Sequence, residues 1–185
     1  GDRARLFAMR DASPPQVYMV VNLTGRAFTY EPAENGSIPI RGAPEDASVD
    51  TFATVHGRGI VSFYLWSRSV EGRLYQFRLS TASPTQIEFG VGVLPTLDVR
   101  GFPAEANLRR WAMHEDGNNY RVMVFKQGSS SSLYQAAFNG ERGRYEYGYR
   151  SRDQVSLRGM PAGAIPFEGA SLHDGRNWRF YQLGR

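Results

Sequence analysis

The sequence contains no cysteine, so it offers neither a disulfide framework nor a thiolate for catalysis or metal binding. No apolar run approaches the ~20 residues that a membrane-spanning helix requires, and we expect a soluble chain without a membrane span. Lysine is almost absent, since Lys126 is the only lysine among 22 Lys and Arg residues. The arginines are not clustered as in a nucleic-acid-binding arm, so no nucleic-acid partner is predicted.

Catalytic signatures are also missing. The sequence has no Gly-x-Ser-x-Gly elbow, Gly-rich phosphate loop, His-Glu-x-x-His motif or EF-hand loop. Glu88 and Glu146 could form the carboxylate pair of a glycoside hydrolase. They lie in matching Glu-Phe-Gly and Glu-Tyr-Gly segments, however, whereas such catalysis needs two carboxylates in different environments. We predict no catalytic residue and no cofactor. The compartment is not fixed, with a secreted or periplasmic location slightly favoured.

What is present is enough for one domain with a hydrophobic core: 185 residues, of which 41% are hydrophobic. The 20 glycines and 10 prolines would interrupt any long helix, and the only helical candidate covers residues 104–110, directly after Pro103.

The main organising feature is an internal repeat. The pattern apolar-Arg-Gly-x-Pro-x-x-Ala occurs at residues 40–47, 99–106 and 157–164, with a period of 58–59 residues. Leu74-Tyr75-Gln76 likewise recurs as Leu133-Tyr134-Gln135. The spacing predicts one domain of three and a half units, at about 1–47, 48–106, 107–164 and, for the half unit, 165–185.

Each unit consists of predicted β-strands. Residues 17–21, 60–66 and 120–125 are runs of β-branched and aromatic residues, and residues 73–79 and 144–150 alternate in polarity. The fold class is therefore all-β and repeat-built. A propeller-like arrangement of about four small blades is favoured, and a β-trefoil or other closed barrel is the alternative. The terminal half unit could complete the first unit's sheet or pair with a second chain, which would make a homo-oligomer.

Repeated aromatic and amide side chains suggest a ligand site, because sugar rings pack on aromatic faces while amides bind hydroxyls. The three histidines add to this, since each lies near the end of the first strand of a unit. The candidate ligand-binding residues are Trp66, Trp111, Trp178, Tyr75, Gln76, Tyr134, Gln135, His56, His114 and His173. The histidines could also converge on Zn²⁺, but each lies beside turn residues and we predict no metal.

The repeated arginines, Arg41, Arg100 and Arg158, are the most regular feature. We expect their guanidinium groups to bind main-chain carbonyls at unit boundaries, with a ring of anion-binding forks as the alternative. The leading functional hypothesis is a non-enzymatic, lectin-like carbohydrate-binding module with repeated sites. A protein–protein interaction domain (an inhibitor, adaptor or assembly subunit) is the alternative, and a carbohydrate hydrolase is the second alternative.

Overall fold

A computed structural model describes residues 4–10, 16–22, 28–30, 37–57, 60–79, 86–90, 94–115, 120–129, 131–150, 154–159, 166–173 and 178–184. All elements in this part of the chain are β-strands, which confirms the all-β class. None of the described residues belongs to a helix long and apolar enough to cross a bilayer.

The described residues form sixteen strands. They are β1 (Ala4–Arg10), β2 (Gln16–Asn22), β3 (Phe28–Tyr30), β4 (Ser37–Arg41), β5 (Ala47–Gly57), β6 (Ile60–Ser67), β7 (Arg73–Leu79), β8 (Ile87–Phe89), β9 (Thr96–Arg100), β10 (Ala106–Glu115), β11 (Tyr120–Lys126), β12 (Ser132–Asn139), β13 (Arg144–Tyr147), β14 (Gln154–Ser156), β15 (Pro166–His173) and β16 (Trp178–Gly184).

The strands join into one mixed sheet that curls into a half-barrel. Its longest path runs β1-β2-β4-β8-β7-β9-β13-β12-β11-β10. Antiparallel hairpins dominate, but parallel pairs join β4 to β8, β9 to β13 and β5 to β15. A propeller divides its strands into separate blade sheets. In the described part of this chain the parallel pairs link successive strand groups instead, so four separate blades are not seen. β15 and β16, which lie in the segment expected to be a half unit, join this sheet through the parallel pair of β15 with β5.

Three strands each pair with two further strands along the same edge. β2 pairs with β3 and β4, β7 with β8 and β9, and β12 with β13 and β14. In each group a fully buried aliphatic residue faces another aliphatic residue across the pair. These pairs are Val17 with Ile38, Leu74 with Leu97, and Leu133 with Val155.

The sheet segment β5-β6-β7 is buried on both faces. Along β6, Tyr64 and Trp66 enter one core cluster, while Phe63 and Leu65 enter a second. Burial on both faces explains why this strand is a continuous apolar run in the sequence. A third and smaller cluster on β11 and β12 consists of Met123, Phe125 and Leu133, with Val155 and Leu157 packed against it.

The prediction of a helix at residues 104–110 is wrong. Ala106 N–H donates to the Pro103 carbonyl at 2.9 Å, closing a tight turn, and β10 begins at Ala106. Gln127 N–H then donates to the Glu105 carbonyl at 2.7 Å, and Ala106 pairs with Lys126. Pairing with β11 supplies hydrogen-bond partners that outweigh the weak local preference of this short segment.

Candidate functional site

A surface cleft of about 450 Å³ opens between β5, the β6–β7 turn and β10. Its apolar lining residues are Trp66 and Leu108, and its charged lining residues are Asp50, Glu71, Arg68 and Arg109. The remaining lining residues are Ser48, Thr51, Ser67, Ser69 and Gly72. We call this set the Trp66 cleft. A smaller cavity of about 180 Å³ shares four of its residues and is also lined by Arg100.

Trp66 is held in place by the core beneath it. Its ring centroid lies 5.0 Å from that of Trp111, at an interplanar angle of 54°. Trp111 is only 1% exposed, and its Nε1–H donates to the Thr51 hydroxyl at 3.2 Å. Trp66 is 6% exposed, and its buried Nε1–H has no hydrogen-bond partner among the described residues. Of these two predicted residues, Trp66 lines the cleft, whereas Trp111 is buried and packs against Trp66 from the core side.

The turn that forms one wall of the cleft is organised by Asp46. Its carboxylate accepts hydrogen bonds from Ser67 Oγ at 2.6 Å, from the Tyr75 hydroxyl at 2.8 Å, and from Ser69 Oγ. Ser67 Oγ in turn accepts from Val70 N–H at 2.8 Å. The hydroxyl donors hold the pKa of Asp46 far below its usual range. This carboxylate stays ionised and fixes Ser67–Ser69 beside the cleft.

The repeated Tyr-Gln positions lie in the interior. Tyr75 is buried, and burial is the main cause of the raised pKa of its phenol. Gln76 donates from Nε2 to the Tyr64 hydroxyl at 3.0 Å. Tyr134 packs edge-on against Tyr147 with centroids 5.8 Å apart, and Gln135 is 8% exposed. The structure thus does not bring these four predicted residues to the Trp66 cleft.

The histidines are only partly described. His114 is half-buried on β10, while the side chains of His56, His173 and Trp178 lie outside the described residues. Main-chain register sets His56 opposite Leu172 on the parallel strand β15, so position 173 is one residue further along. Among the side chains that are described, no group of three or more His, Asp or Glu could hold a metal ion.

Among the described residues, Arg100 binds a carboxylate and no main-chain carbonyl. Its guanidinium donates to Asp98 Oδ2 at 3.0 Å, and its side chain is 52% exposed. The prediction of a carbonyl-bound arginine is therefore wrong at this position, because the carboxylate two residues earlier on the same strand is the nearer partner. Arg41 and Arg158 are also exposed.

The Glu146 carboxylate is fixed by hydrogen bonds from three neighbouring side chains. It accepts from Asn139 Nδ2 at 2.9 Å, Arg142 Nη1 at 3.0 Å and Arg144 Nε at 2.7 Å. These donors lower its pKa to about 2, with Asn139 the largest cause. A carboxyl group with this pKa is ionised at neutral pH and cannot serve as the proton donor of a glycosidase.

Sequence reasoning identified Trp66 but missed the polar lining of the cleft. Asp50 lies on β5, Arg68 and Glu71 lie in the β6–β7 turn, and Arg109 lies on β10. These positions share no motif and no spacing, because three separate elements bring them together. No protein-family profile matches this chain, and no curated protein is similar to it.

Proposed function

We propose that the chain is a non-enzymatic carbohydrate-binding module whose site is the Trp66 cleft. The observation that carries the proposal is the convergence of carboxylates, guanidinium groups and hydroxyls around an indole. Carboxylates accept hydrogen bonds from sugar hydroxyls, and guanidinium groups donate to them. The volume of about 450 Å³ lies within the ~300–1,000 Å³ typical of small-molecule sites.

The charge balance of the cleft supports a neutral or weakly charged ligand. Asp50 and Glu71 contribute two negative charges, and Arg68 and Arg109 contribute two positive charges. A site for a strongly anionic ligand would carry an excess of cations. A sugar needs both donors and acceptors, and this lining supplies both.

We propose a repeat-built domain with one such site, in place of the several sites that the sequence suggested. The recurring registers of β2, β7 and β12 with their partner strands support the repeat. Fifty-nine residues after Trp66, Arg68 and Ser69 come Phe125, Gln127 and Gly128. These lack the indole, the charge and the hydroxyl, so the next unit does not repeat the chemistry of the cleft.

A glycan array followed by calorimetry tests the proposal. We expect saturable binding with one site per chain. Arg109→Ala and Asp50→Asn should each raise the dissociation constant by about tenfold or more, since a hydrogen bond to a charged group contributes ~1.5–3 kcal/mol. Lys126→Ala and Glu141→Gln are matched controls, because each removes one charge from an exposed residue outside the cleft and should leave affinity unchanged.

Two results would count against this proposal. Absence of binding across a broad array would favour the protein–protein interaction alternative. Release of a smaller sugar from a bound glycan, lost in Asp50→Asn, would favour the hydrolase alternative. Thermal midpoints of the four variants should stay close to that of the parent, which separates loss of binding from loss of folding.

A further inference from the structure

The smaller cavity beside the Trp66 cleft, which we call the Arg100 cavity, has lining residues of its own at the end of β9 and in the turn after it. They are Val99, Arg100, Gly101 and Phe102. The rest of its lining also belongs to the Trp66 cleft and consists of Trp66, Glu71, Gly72 and Leu108. The two cavities therefore adjoin each other along the indole, Leu108 and the β6–β7 turn.

A main-chain hydrogen bond fixes the Arg100 cavity against that turn. Val99 N–H donates to the Gly72 carbonyl at 2.6 Å, which joins β9 to the end of the β6–β7 turn. β7 and β9 continue this contact as an antiparallel pair. The end of β9 is thereby held next to Glu71, whose exposed carboxylate lines both cavities.

The Arg100 cavity contains the same three kinds of group as the Trp66 cleft, namely an aromatic ring, a guanidinium and a carboxylate. The ring is that of Phe102, which packs with its centroid 5.8 Å from that of Tyr147. The guanidinium of Arg100 donates to Asp98 at 3.0 Å, and its side chain is 52% exposed. Since a guanidinium carries five N–H donors, this one can also donate to the hydroxyl of a ligand. The carboxylate is Glu71.

Irregularities in two strands produce the wall that the cavities share. Residues 48–51 of β5 and residues 108–110 of β10 each lie between successive register positions of their ladders. Within the second irregularity, Arg109 N–H donates to Asn107 Oδ1 at 3.1 Å. Such bulges redirect side chains and are common beside functional sites. Here they contain Asp50 and Arg109 of the Trp66 cleft, and Leu108 of both cavities.

The volume and charge of the Arg100 cavity indicate an extension of the Trp66 cleft. Its volume of about 180 Å³ lies below the ~300 Å³ at which small-molecule sites usually begin, whereas the 450 Å³ of the Trp66 cleft lies above it. Glu71 and Arg100 contribute one charge of each sign to the lining. The extension therefore suits a neutral group, as the Trp66 cleft does.

We propose that the Trp66 cleft and the Arg100 cavity are two subsites of one site, so that the preferred ligand is a neutral glycan chain of at least two sugar rings. Trp66 and Leu108 form the apolar surface that both rings contact, and Glu71 accepts hydrogen bonds at their junction. This inference rests on the proposed carbohydrate-binding function. A linked second ring binds with little further loss of translational and rotational freedom, so chain length should increase affinity.

Calorimetry with neutral sugars of increasing length tests the inference. The probes are glucose, mannose, galactose and N-acetylglucosamine, each as the free sugar and as its α-1,4- and β-1,4-linked oligomers. For the sugar that binds, we expect the disaccharide to bind at least about tenfold more tightly than the monosaccharide. Equal affinities for both would overturn the two-subsite inference and leave carbohydrate binding in place. Absence of binding by every probe would contradict the proposed function itself, and this inference with it.

Two variants separate the subsites. Arg100→Ala should reduce the ratio of disaccharide to monosaccharide affinity by about tenfold, because a hydrogen bond to a charged group is lost from the second ring alone. Asp50→Asn should weaken both ligands alike and preserve the ratio, since Asp50 lines the Trp66 cleft and not the Arg100 cavity. Arg41→Ala is the matched control, because Arg41 is the exposed arginine of the first copy of the repeated segment and lines neither cavity. A ratio unchanged in Arg100→Ala would also overturn the inference.

Discussion

Trp111 Nε1–H donates to the hydroxyl of Thr51 across 60 residues of sequence, at 3.2 Å. The bond joins β10 to β5, which are not hydrogen-bonded neighbours in the sheet. Both residues are buried, so the bond ties two strand groups together at the base of the Trp66 cleft. The geometry of the cleft therefore depends on a residue that no ligand can reach.

Trp111→Ala should lower the free energy of unfolding by about 3–5 kcal/mol, the usual cost of truncating a fully buried aromatic residue. Loss of the Thr51 partner adds to the loss of packing against Trp66. Urea denaturation measures the change. Leu94, which is 56% exposed, provides the control: Leu94→Ala should change stability by less than ~0.5 kcal/mol. Equal effects of both substitutions would contradict this placement of Trp111.

Gly72→Ala should also destabilise the protein, for a backbone reason. Gly72 has φ +71°, and a Cβ there would collide with the Val99 carbonyl oxygen. A non-glycine residue in this conformation costs ~1–3 kcal/mol before the collision is relieved. Gly140 has open space around its Cβ position, so Gly140→Ala should leave the thermal midpoint nearly unchanged. A midpoint for Gly72→Ala equal to that of the control would show that the turn can rearrange freely.

The hydrogen bonds from Ser67, Ser69 and Tyr75 to the Asp46 carboxylate predict a loss of stability in acid. Because the folded-state pKa of Asp46 is lowered, its contribution is complete above the unfolded value, about 4, and is lost as the pH falls below it. Glu146, with a pKa of about 2, acts in the same direction. In urea titrations from pH 7 to pH 2, we expect the stability difference between the parent and Asp46→Asn to shrink below pH 4. A constant difference would show that the hydroxyl donors of Ser67 and Ser69 do not favour the ionised carboxylate.

Arg100→Ala should change stability little. The ion pair with Asp98 is exposed, and such pairs typically contribute ~0–1 kcal/mol. A guanidinium bound to buried main-chain carbonyls, as the sequence analysis expects, would cause a larger loss, because its removal leaves those carbonyls unpaired. A fall of more than ~2 kcal/mol on substitution would restore that interpretation. Binding assays on the same variant would separate a role in the smaller cavity, which Arg100 lines, from a role in folding.

The strands were largely predictable from local patterns. The runs at residues 17–21, 60–66 and 120–125 lie within β2, β6 and β11, and residues 73–79 coincide with β7. The alternation at residues 144–150 stops early, because β13 ends at Tyr147 and Gly148 has a positive φ. Local pattern also predicted a helix after Pro103, where long-range pairing with β11 forms a strand.

The site was predictable only in part. An indole at Trp66 was expected, but the sequence could not tell that Trp111 would lie beneath it. Burial on both faces of the sheet places Tyr75 and Gln76 in the interior, although their alternating pattern is typical of a strand with one exposed face. The polar lining depends on contacts among β5, a turn and β10, and a single sequence carries no signal for contacts between distant residues.

The pairing of β7 with two strands along one of its edges affects the order in which the sheet unfolds. One edge of β7 is hydrogen-bonded to β6, and the other is shared by β8 and β9. Detaching β7 therefore disrupts three pairings at once, so its amide hydrogens should exchange with deuterated solvent only when the whole sheet unfolds. β14 pairs with one strand among those described and should exchange through local fluctuations. The slowest-exchanging amides would then mark β7 as the last strand to separate.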